Sequence, residues 1–276
     1  MLFIKHHILP GFGISFGSSL FFVCLILLLP LTGFVMQLSQ ISLLQYWDII
    51  TDPSVVMSYK ITLLSAGIAT LFNIFFGVLI AWILVRYRFP GQMLLDGLVD
   101  LPFALPTSVA GLTLATLFST TGWYGSVLIQ FGIEVSYTWL GIAVAMSFTS
   151  LPFVIRTVQP VLEKLPPVYE EVAKTLGATR WQIFCNIIFP ELFPALLSGI
   201  ALSFIRSLGE FGAVIFIAGN IAWESEVLSL IVFIKLQEFD YPAASAIASV
   251  VLGITLLLFF IINFLQFRFE SRLKGN

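Results

Sequence analysis

Two groups of charged residues stand in an otherwise very apolar chain, and their types and spacing could do chemistry. The first is a run at 170–190 that opens with Glu170, Glu171 and Lys174. The second is Arg206 and Glu210, four residues apart within a long apolar stretch. Carboxylates and cations three or four residues apart share a helix face and can pair. An arginine inside a membrane can also present its charge to a passing anion.

Residue types for covalent or metal catalysis are not grouped along the chain. No nucleophile stands beside a base at a recognisable spacing, no metal-ligand cluster is present, and no Gly-x-x-x-x-Gly-Lys-Ser/Thr phosphate loop occurs. His6 and His7 lie at the N-terminal edge, where an interfacial or tag-like role is expected. The sequence therefore predicts no enzyme, no cofactor, no metal site and no nucleic-acid partner.

Composition places these charges in a membrane protein. The chain is 59% hydrophobic and 10% charged, with a mean hydropathy of +1.03 and a net charge of −2. Uncharged stretches are long enough to cross a bilayer of about 30 Å as helices. The pattern predicts an all-α, polytopic membrane protein with six spans, at 14–36, 60–85, 96–118, 138–159, 193–218 and 243–266. Dropping the proline-weakened third span would give five spans, and promoting 124–133 would give seven.

The positions of Lys and Arg predict the orientation of the spans. Cations follow span two, lie between spans four and five, flank span one at Lys5 and end the chain, which predicts that both termini are cytoplasmic. Cys24 falls within span one and Cys185 on the cytoplasmic side, so no disulfide is expected between them. The apolar run of span one, which Lys5 precedes, is too long for a typical signal-peptide core and lacks a small-x-small cleavage site before Leu38, so it is expected to be a retained helix. The opposite loops carry the acids Asp48, Asp52, Glu134, Glu224, Glu226, Glu238 and Asp240.

The charged run predicts two short amphipathic helices that meet at Gly177. Pro166 and Pro167 can open the first helix, Glu170 and Lys174 are an i,i+4 pair, and Gly177 suits a helix C-terminus. The second helix is expected to place Trp181, Phe184 and Ile188 on one face and to stop at Pro190. Such a knob fits a docking surface, and it equally fits a hairpin lying on lipid headgroups.

The spacing in this run resembles the EAA loop of ABC-importer permeases. The chain reads Glu171-Val172-Ala173, three residues, Gly177, nine residues, Ile187, one residue, Phe189-Pro190. The family pattern has Ala where this chain has Val172 and Leu where it has Phe189. In that family the loop is a coupling helix seated in a cytoplasmic ATPase, whose closure moves the spans between inward- and outward-open states. The resemblance assigns ATPase contact to Glu170, Glu171, Ala173, Gly177, Ile187 and Pro190.

Four longer segments resemble the T-type branch of the sulfate/thiosulfate permeases. They are Leu-Pro-Gly-Phe at 9–12, LDGLVDLPFALPTSVAGL at 95–112, RSLGEFGAVIFIAGN at 206–220 and QEFDYPAAS at 237–245. Molybdate permeases share part of the third segment, so a molybdate or tungstate permease is the alternative within the class. A proton-coupled secondary transporter is the alternative outside it, and it would need neither an ATPase nor the knob.

This resemblance implies a type I ABC importer permease fold and a set of partners. They are a sister permease subunit forming a heterodimer, two cytoplasmic ATP-binding subunits, an extracytoplasmic sulfate- or thiosulfate-binding protein, and the lipid of a bacterial inner membrane. The chain would divide into a first helix and outer loop (1–58), a permease core with the EAA loop near 166–190 (59–266), and a cytoplasmic tail (267–276). ATP hydrolysis would occur on a partner.

Three intramembrane charges are the expected pathway or gating residues, and each has a structural alternative. Arg206 and Glu210 can form a mutual ion pair, or Arg206 can present positive potential to a dianion with Glu210 as a latch. Gly209 and Gly212 could allow close packing across a dimer axis. Asp100 can satisfy donors at a helix N-terminus, or it can pair with Arg86 or Arg88 beside a proline hinge.

Overall fold

The computed structural model describes residues 11–221 and 223–274, with 267 and 269–274 described by their backbone alone. Lys5, His6, His7, residues 9–10 and the side chains of Arg272 and Lys274 therefore lie outside the described residues. All regular elements in the described ranges are helical. The helices, numbered here in chain order, are α1 Phe12–Leu38, α2 Leu43–Ile50, α3 Pro53–Arg86, α4 Gln92–Val99, α5 Leu101–Ala104, α6 Thr107–Phe118, α7 Gly125–Leu128, α8 Trp139–Lys164, α9 Val168–Thr175, α10 Arg180–Leu208, α11 Val214–Ile217, α12 Leu228–Gln237 and α13 Tyr241–Lys274.

Five of these helices are long and apolar enough to cross a membrane, namely α1, α3, α8, α10 and α13 through Gln266. The third predicted span, 96–118, is not one helix, because it is divided among α4, α5 and α6. Leu105 is extended before Pro106, as expected for a residue whose α conformation clashes with the proline ring. Five of the six predicted spans thus correspond to single long helices, and the third is divided where its prolines break the helix.

The fifth predicted span, 193–218, also differs from the structure at both ends. Its helix α10 begins earlier, at Arg180, and ends at Leu208 with Gly209 as its C-terminal cap. The chain then turns through Gly212 into the short helix α11. The apolar run thus continues past a helix end that Gly209 allows.

Pro190 does not stop the second helix of the charged run, contrary to the expectation from sequence. A π-helical turn at Phe184–Ile188 precedes it, in which the N–H of Phe189 donates to the carbonyl of Phe184. A proline ring clashes with the carbonyl four residues before it, and a wider turn relieves that clash. The same device precedes Pro30, after the π turn Cys24–Leu28 of α1. The second helix of the charged run is therefore continuous with the membrane helix, and together they form α10.

Three helices, α3, α8 and α10, pack on one another and form the centre of the bundle. Small residues allow their close approach, because a Cβ on Gly77 of α3 or on Gly199 of α10 would collide with Val154 or Thr157 of α8. Around this centre, α12 and α13 pack together, α6 packs on α11, and α2 packs on α13. Helix α1 contacts α13 through its second half, and within residues 12–38 no side chain is buried.

The proposed domain boundaries fall inside helices. The boundary at 58/59 lies within α3, and the boundary at 266/267 lies within α13, which continues to Lys274. The charged run at 166–190 connects α8 to α10 and contains α9. Its two covalent attachments therefore lead to two of the three central helices.

Candidate functional site

The corner at Gly177 is built by two capping motifs. The N–H of Ala178 donates to the carbonyl of Ala173 at 3.0 Å, and the N–H of Gly177 donates to that of Lys174 at 3.0 Å. This pair of bonds is the Schellman motif, which needs a left-handed residue after the helix, and Gly177 has φ +84°. Thr179 then forms a capping box with Gln182 at the start of α10. Both features of the predicted corner, the first helix and its glycine cap, are present.

The first helix of the corner, α9, has an inner and an outer face. Ala173 packs inward with Ile183, Ile188 and Leu162. On the outer side, Glu171 is exposed and an apolar patch surrounds it, including Leu176 at 82% exposure. We call this the outer face of α9, and it comprises Val168, Glu171, Val172, Leu176 and, from α10, Trp181. Exposed apolar side chains beside one carboxylate, outside the hydrophobic spans, are typical of an interaction surface.

The six residues assigned to ATPase contact thus divide between the two sides. Glu171 and Gly177 are exposed. Ala173 is buried, and Ile187 packs partly buried against the same apolar cluster. Pro190 is half-buried in the first turn of the regular part of α10. The inner members position the corner, and only the outer members are available to a partner.

The remaining member, Glu170, also faces inward, where its carboxylate is 18% exposed. Its Oε1 lies 2.9 Å from Nη2 of Arg86, the last residue of α3. The expected i,i+4 pair with Lys174 is therefore replaced by an ion pair with a different helix. Spacing along one helix could not reveal this partner, because Arg86 is far away in sequence and meets Glu170 only through the packing of α3 against the corner.

Asp100 pairs with neither Arg86 nor Arg88, and its side chain forms no helix cap. Its two oxygens accept from Nε and Nη2 of Arg156 on α8, at 2.8 and 2.6 Å. Asp96 accepts from Nη1 of the same arginine at 2.7 Å. Both accounts offered from sequence for Asp100 were wrong. Two acids four residues apart on an apolar helix were the available signal that a shared cation must lie nearby.

Arg206 and Glu210 form the intramembrane ion pair that their spacing predicts, with Nη1 and Oε2 2.7 Å apart. Glu210 is 1% exposed, whereas the side chain of Arg206 is 34% exposed. The other oxygen of Glu210, Oε1, accepts from the N–H of Ala213 at 3.0 Å and so holds the turn after α10. The pair therefore combines a fixed, buried carboxylate with a cation that reaches the surface of this chain.

One glycine beside this pair, Gly212, makes a close contact within the chain. A Cβ on Gly212 would collide with Oγ1 of Thr107, and a Cβ on Gly111 would collide with the backbone of Ala213. Helix α6 is thereby held against the turn that follows α10. Close packing of Gly209 and Gly212 across a dimer axis stays a prediction.

Hydroxyl groups of the central helices fall into two sets. Ser147 and Thr113 bond the backbone of their own helices. Ser150 and Ser207 also bond their own helix backbones, and together with Ser203 they form a buried network with Asn73 of α3, which donates to Ser150 at 2.8 Å and to Ser203 at 3.2 Å. Asn73 is the only amide in α3, and this was the signal available in the sequence. The network joins all three central helices.

Metal ligation finds no support in this arrangement. Across residues 11–221 and 223–274, no three His, Cys, Asp or Glu side chains lie close enough together to hold a metal ion.

Comparison with known families defines the class. The family described as "Binding-protein-dependent transport system inner membrane component" matches residues 73–275. The chain belongs to this family, and it is a multi-pass membrane permease subunit of the ABC-importer type.

Individual relatives are much closer than the family as a whole. The chain is 69% identical over 272 residues to "Sulfate transport system permease protein CysT" of Escherichia coli (strain K12), covering 99% of this chain and 98% of the relative. It is 47% identical over 254 residues to the protein of the same name in Synechocystis, covering 92% of this chain and 89% of the relative.

Solved structures share the fold. A chain of a bacterial ABC transporter involved in the import of the acidic polysaccharide alginate matches with a TM-score of 0.75 at 20% identity, covering 93% of this chain and 94% of that one. The same transporter in complex with an alginate pentasaccharide-bound periplasmic protein matches with a TM-score of 0.74 at 22% identity, covering 93% of both chains. The fold is thus the all-α, type I ABC importer permease fold.

Proposed function

We propose that the chain is a permease subunit of an ATP-driven importer that carries sulfate and thiosulfate into the bacterial cytoplasm. The observation that carries this proposal is the near full-length, 69% identity to sulfate permeases, combined with an exposed outer face at the position of the EAA loop. The chain has no phosphate-binding loop, so ATP hydrolysis is assigned to partner subunits.

The outer face of α9 is the surface we assign to the ATP-binding subunit. Leu176, Val172 and Trp181 provide apolar anchors, and Glu171 provides a charge at their edge. Aromatic and apolar anchors that become buried on association supply most of the binding energy in protein interfaces. A lipid-headgroup hairpin would favour cations around such anchors, whereas the exposed charges of α9 include Glu171 as well as Lys174.

The orientation follows from this assignment. The outer face of α9 is cytoplasmic, so both termini are cytoplasmic, and the opposite ends of the spans meet a substrate-binding protein outside. Exposed aromatic residues at those opposite ends fit an interfacial belt, namely Trp47, Trp123, Tyr124, Tyr137 and Trp223. Support for a binding-protein partner comes from the family description and from the neighbouring structure solved with a periplasmic protein.

The transport pathway is assigned to the interface with a sister permease subunit, with two ATP-binding subunits beneath. Arg206 reaches the surface of this chain at 34% exposure, which suits a cation shared with that interface. Glu210 neutralises part of its charge, and a pathway must bind an anion weakly enough to release it. One partly neutralised arginine can attract a dianion without trapping it. Asp100, which sequence reasoning also placed among the pathway residues, is instead assigned to the clamp on Arg156.

Uptake of radiolabelled sulfate in a strain lacking this chain tests the proposal. The wild-type chain or the Glu171→Lys variant is restored, with ATP depletion and collapse of the proton gradient applied separately. Uptake that needs ATP, falls in the variant and is competed by thiosulfate is the expected result. Uptake that follows the proton gradient would refute the ATP-driven mechanism, and competition by molybdate instead of thiosulfate would refute the assigned substrate.

A further inference from the structure

Two neighbouring glutamates on α9 lie on different faces of the helix. Glu171 lies on the outer face, whereas Glu170 turns toward the membrane helices and meets Arg86. Successive residues of an α-helix are about 100° apart around its axis, so adjacent side chains do not share a face. The two acids therefore have different partners, and only Glu171 is available to a docking subunit.

Arg86 joins the end of α3 to both sides of the link that precedes α9. Its Nη2 lies 2.9 Å from Oε1 of Glu170, and Nη1 and Nη2 each donate to the carbonyl of Leu165 at 3.4 Å. Its guanidinium also lies over the ring of Trp82, 5.7 Å from the centroid. The side chain is thus fixed on three sides, at the last residue of a helix that crosses the membrane.

This ion pair leaves one polar atom of each residue without a hydrogen-bond partner among the described residues. The 2.9 Å contact is close enough for an ion pair, but Oε1 of Glu170 receives no hydrogen bond of good geometry, and Nε of Arg86 is buried without a partner among the described residues. Loss of either charge would leave the other poorly paired in a largely buried site. The contact is therefore sensitive to substitution, and it can change its geometry if α9 moves.

The attachment of α9 to the central helices shows what this pair adds. Helix α9 is linked covalently to α8 through residues 165–167 and to α10 through residues 176–179. The third central helix, α3, has no covalent link to α9. Apolar side chains of α3, among them Ala81 and Leu84, share a buried cluster with Ala173 of α9. The Arg86–Glu170 pair adds a charged connection between the end of α3 and α9.

We infer that Arg86 is a positioning residue that makes α3 follow α9, so that all three central helices move when a docked subunit displaces the corner. This inference rests on the proposed function, which makes α9 the docking helix. Movement of α8 and α10 is enforced by the chain, whereas the end of α3 follows through its packing on those helices and through this ion pair. Loss of the pair should leave docking intact and reduce the transport gained from each ATP.

The test uses the complete transporter in proteoliposomes. Its binding protein and sulfate are supplied, and ATP is saturating. Glu170→Gln removes one charge at the same side-chain size, Arg86→Gln removes the other charge with a shorter side chain, and the double variant R86E/E170R reverses the pair. Arg88→Gln is the matched control, because Arg88 is an exposed arginine two residues away. ATP hydrolysis and sulfate uptake are measured in the same vesicles.

The single variants are expected to keep binding-protein-stimulated hydrolysis and to lower sulfate transported per ATP by roughly fivefold, the effect of losing one charge-assisted contact. The reversed pair is expected to recover part of that ratio, and the Arg88→Gln control should match the wild type. Equal loss of hydrolysis and uptake, an unchanged ratio, or no recovery in the reversed pair would each overturn the inference.

A second measurement separates this inference from the proposed function. Spin labels are placed at exposed positions, with Asp48 as the fixed reference and either Tyr87 or Lys174 as the reporter of α3 or α9, after Cys24 and Cys185 are replaced by alanine. On addition of ATP and vanadate, both reporters should shift in the wild type, and in Arg86→Gln the Tyr87 reporter should shift less while the Lys174 reporter shifts as before. A Tyr87 reporter that shifts equally in the variant would overturn the inference, whereas failure of wild-type sulfate uptake would overturn only the proposed function.

Discussion

Substitution of Gly177 tests whether the corner works through its backbone conformation. Gly177 has φ +84°, and a Cβ placed on it would have nothing within 4 Å among the described residues. A substitution therefore meets no steric obstacle inside this chain, and its effect must come from the left-handed backbone. Placing an L-residue other than glycine or asparagine in that conformation costs about 1–2 kcal/mol.

That free energy lowers the population of the correct corner by about fivefold to thirtyfold. Asn tolerates the left-handed region, Ala pays the full penalty, and the β-branched Val pays more. The expected order of sulfate uptake per assembled transporter is therefore Gly177, then Gly177→Asn, Gly177→Ala and Gly177→Val. Uptake of radiolabelled sulfate, normalised to the amount of complex purified through the ATP-binding subunit, gives this order directly.

A different order would identify a different cause. If the partner's backbone must approach Gly177 closely, side-chain size would decide, and Gly177→Asn would be at least as damaging as Gly177→Ala. Lower sulfate uptake in Gly177→Asn than in Gly177→Ala, or equal uptake in the wild type and all three variants, would refute the backbone explanation. The size explanation would survive the first of these results, and neither explanation would survive the second.

Three further outcomes follow from the same contacts. Arg206→Gln leaves the buried Glu210 without its cation, which should destabilise the chain by about 3 kcal/mol and so lower the amount of assembled complex. R206Q/E210Q should recover assembly but not sulfate uptake. Recovery of both would make the pair purely structural. Gly111→Leu should lower the melting temperature in detergent, because its side chain would collide with Ala213 at a cost of about 1–3 kcal/mol. Gly97→Leu is the control, since a side chain there meets open space. An equal loss of melting temperature in Gly97→Leu would contradict this packing. Burial raises the pKa of Glu226, so its ionised carboxylate destabilises the folded chain above the raised pKa, whereas below about pH 4.3 it is neutral in the folded and the unfolded state. Glu226→Gln should therefore raise the melting temperature at about pH 7.5 and leave it unchanged at about pH 4. A pH-independent difference would contradict this origin.

The sequence predicted those features that depend on local pattern. The membrane class followed from long apolar runs, and the corner followed from the prolines before α9 and from Gly177 after it. The Arg206–Glu210 pair followed from the four-residue spacing, although Glu210 lies just beyond the end of α10. Each of these features is decided within a few residues, where helix geometry leaves little choice.

Features that depend on packing between distant helices were missed. The EAA resemblance placed Glu170 among the ATPase contacts, and its ion pair with Arg86 was missed because the two residues are far apart in the sequence. Asp100 was given the wrong partners because Arg156 lies on another helix. Hydropathy could not divide the third span, since Leu105 and Pro106 are as apolar as their neighbours and change only the backbone. Asn73 was overlooked because one uncharged amide hardly changes the mean hydropathy of a helix.

Simultaneous measurement of ATP hydrolysis and sulfate uptake in the reconstituted transporter tests the central claim most directly, with Leu176→Asp compared to the wild type. Leu176 is 82% exposed on the outer face of α9, so the substitution should not disturb this chain's own fold. Loss of binding-protein-stimulated hydrolysis together with loss of uptake, in a chain that still inserts and binds its sister subunit, is the predicted result. Uptake at the wild-type level in Leu176→Asp would contradict the assignment of this face to the ATP-binding subunit.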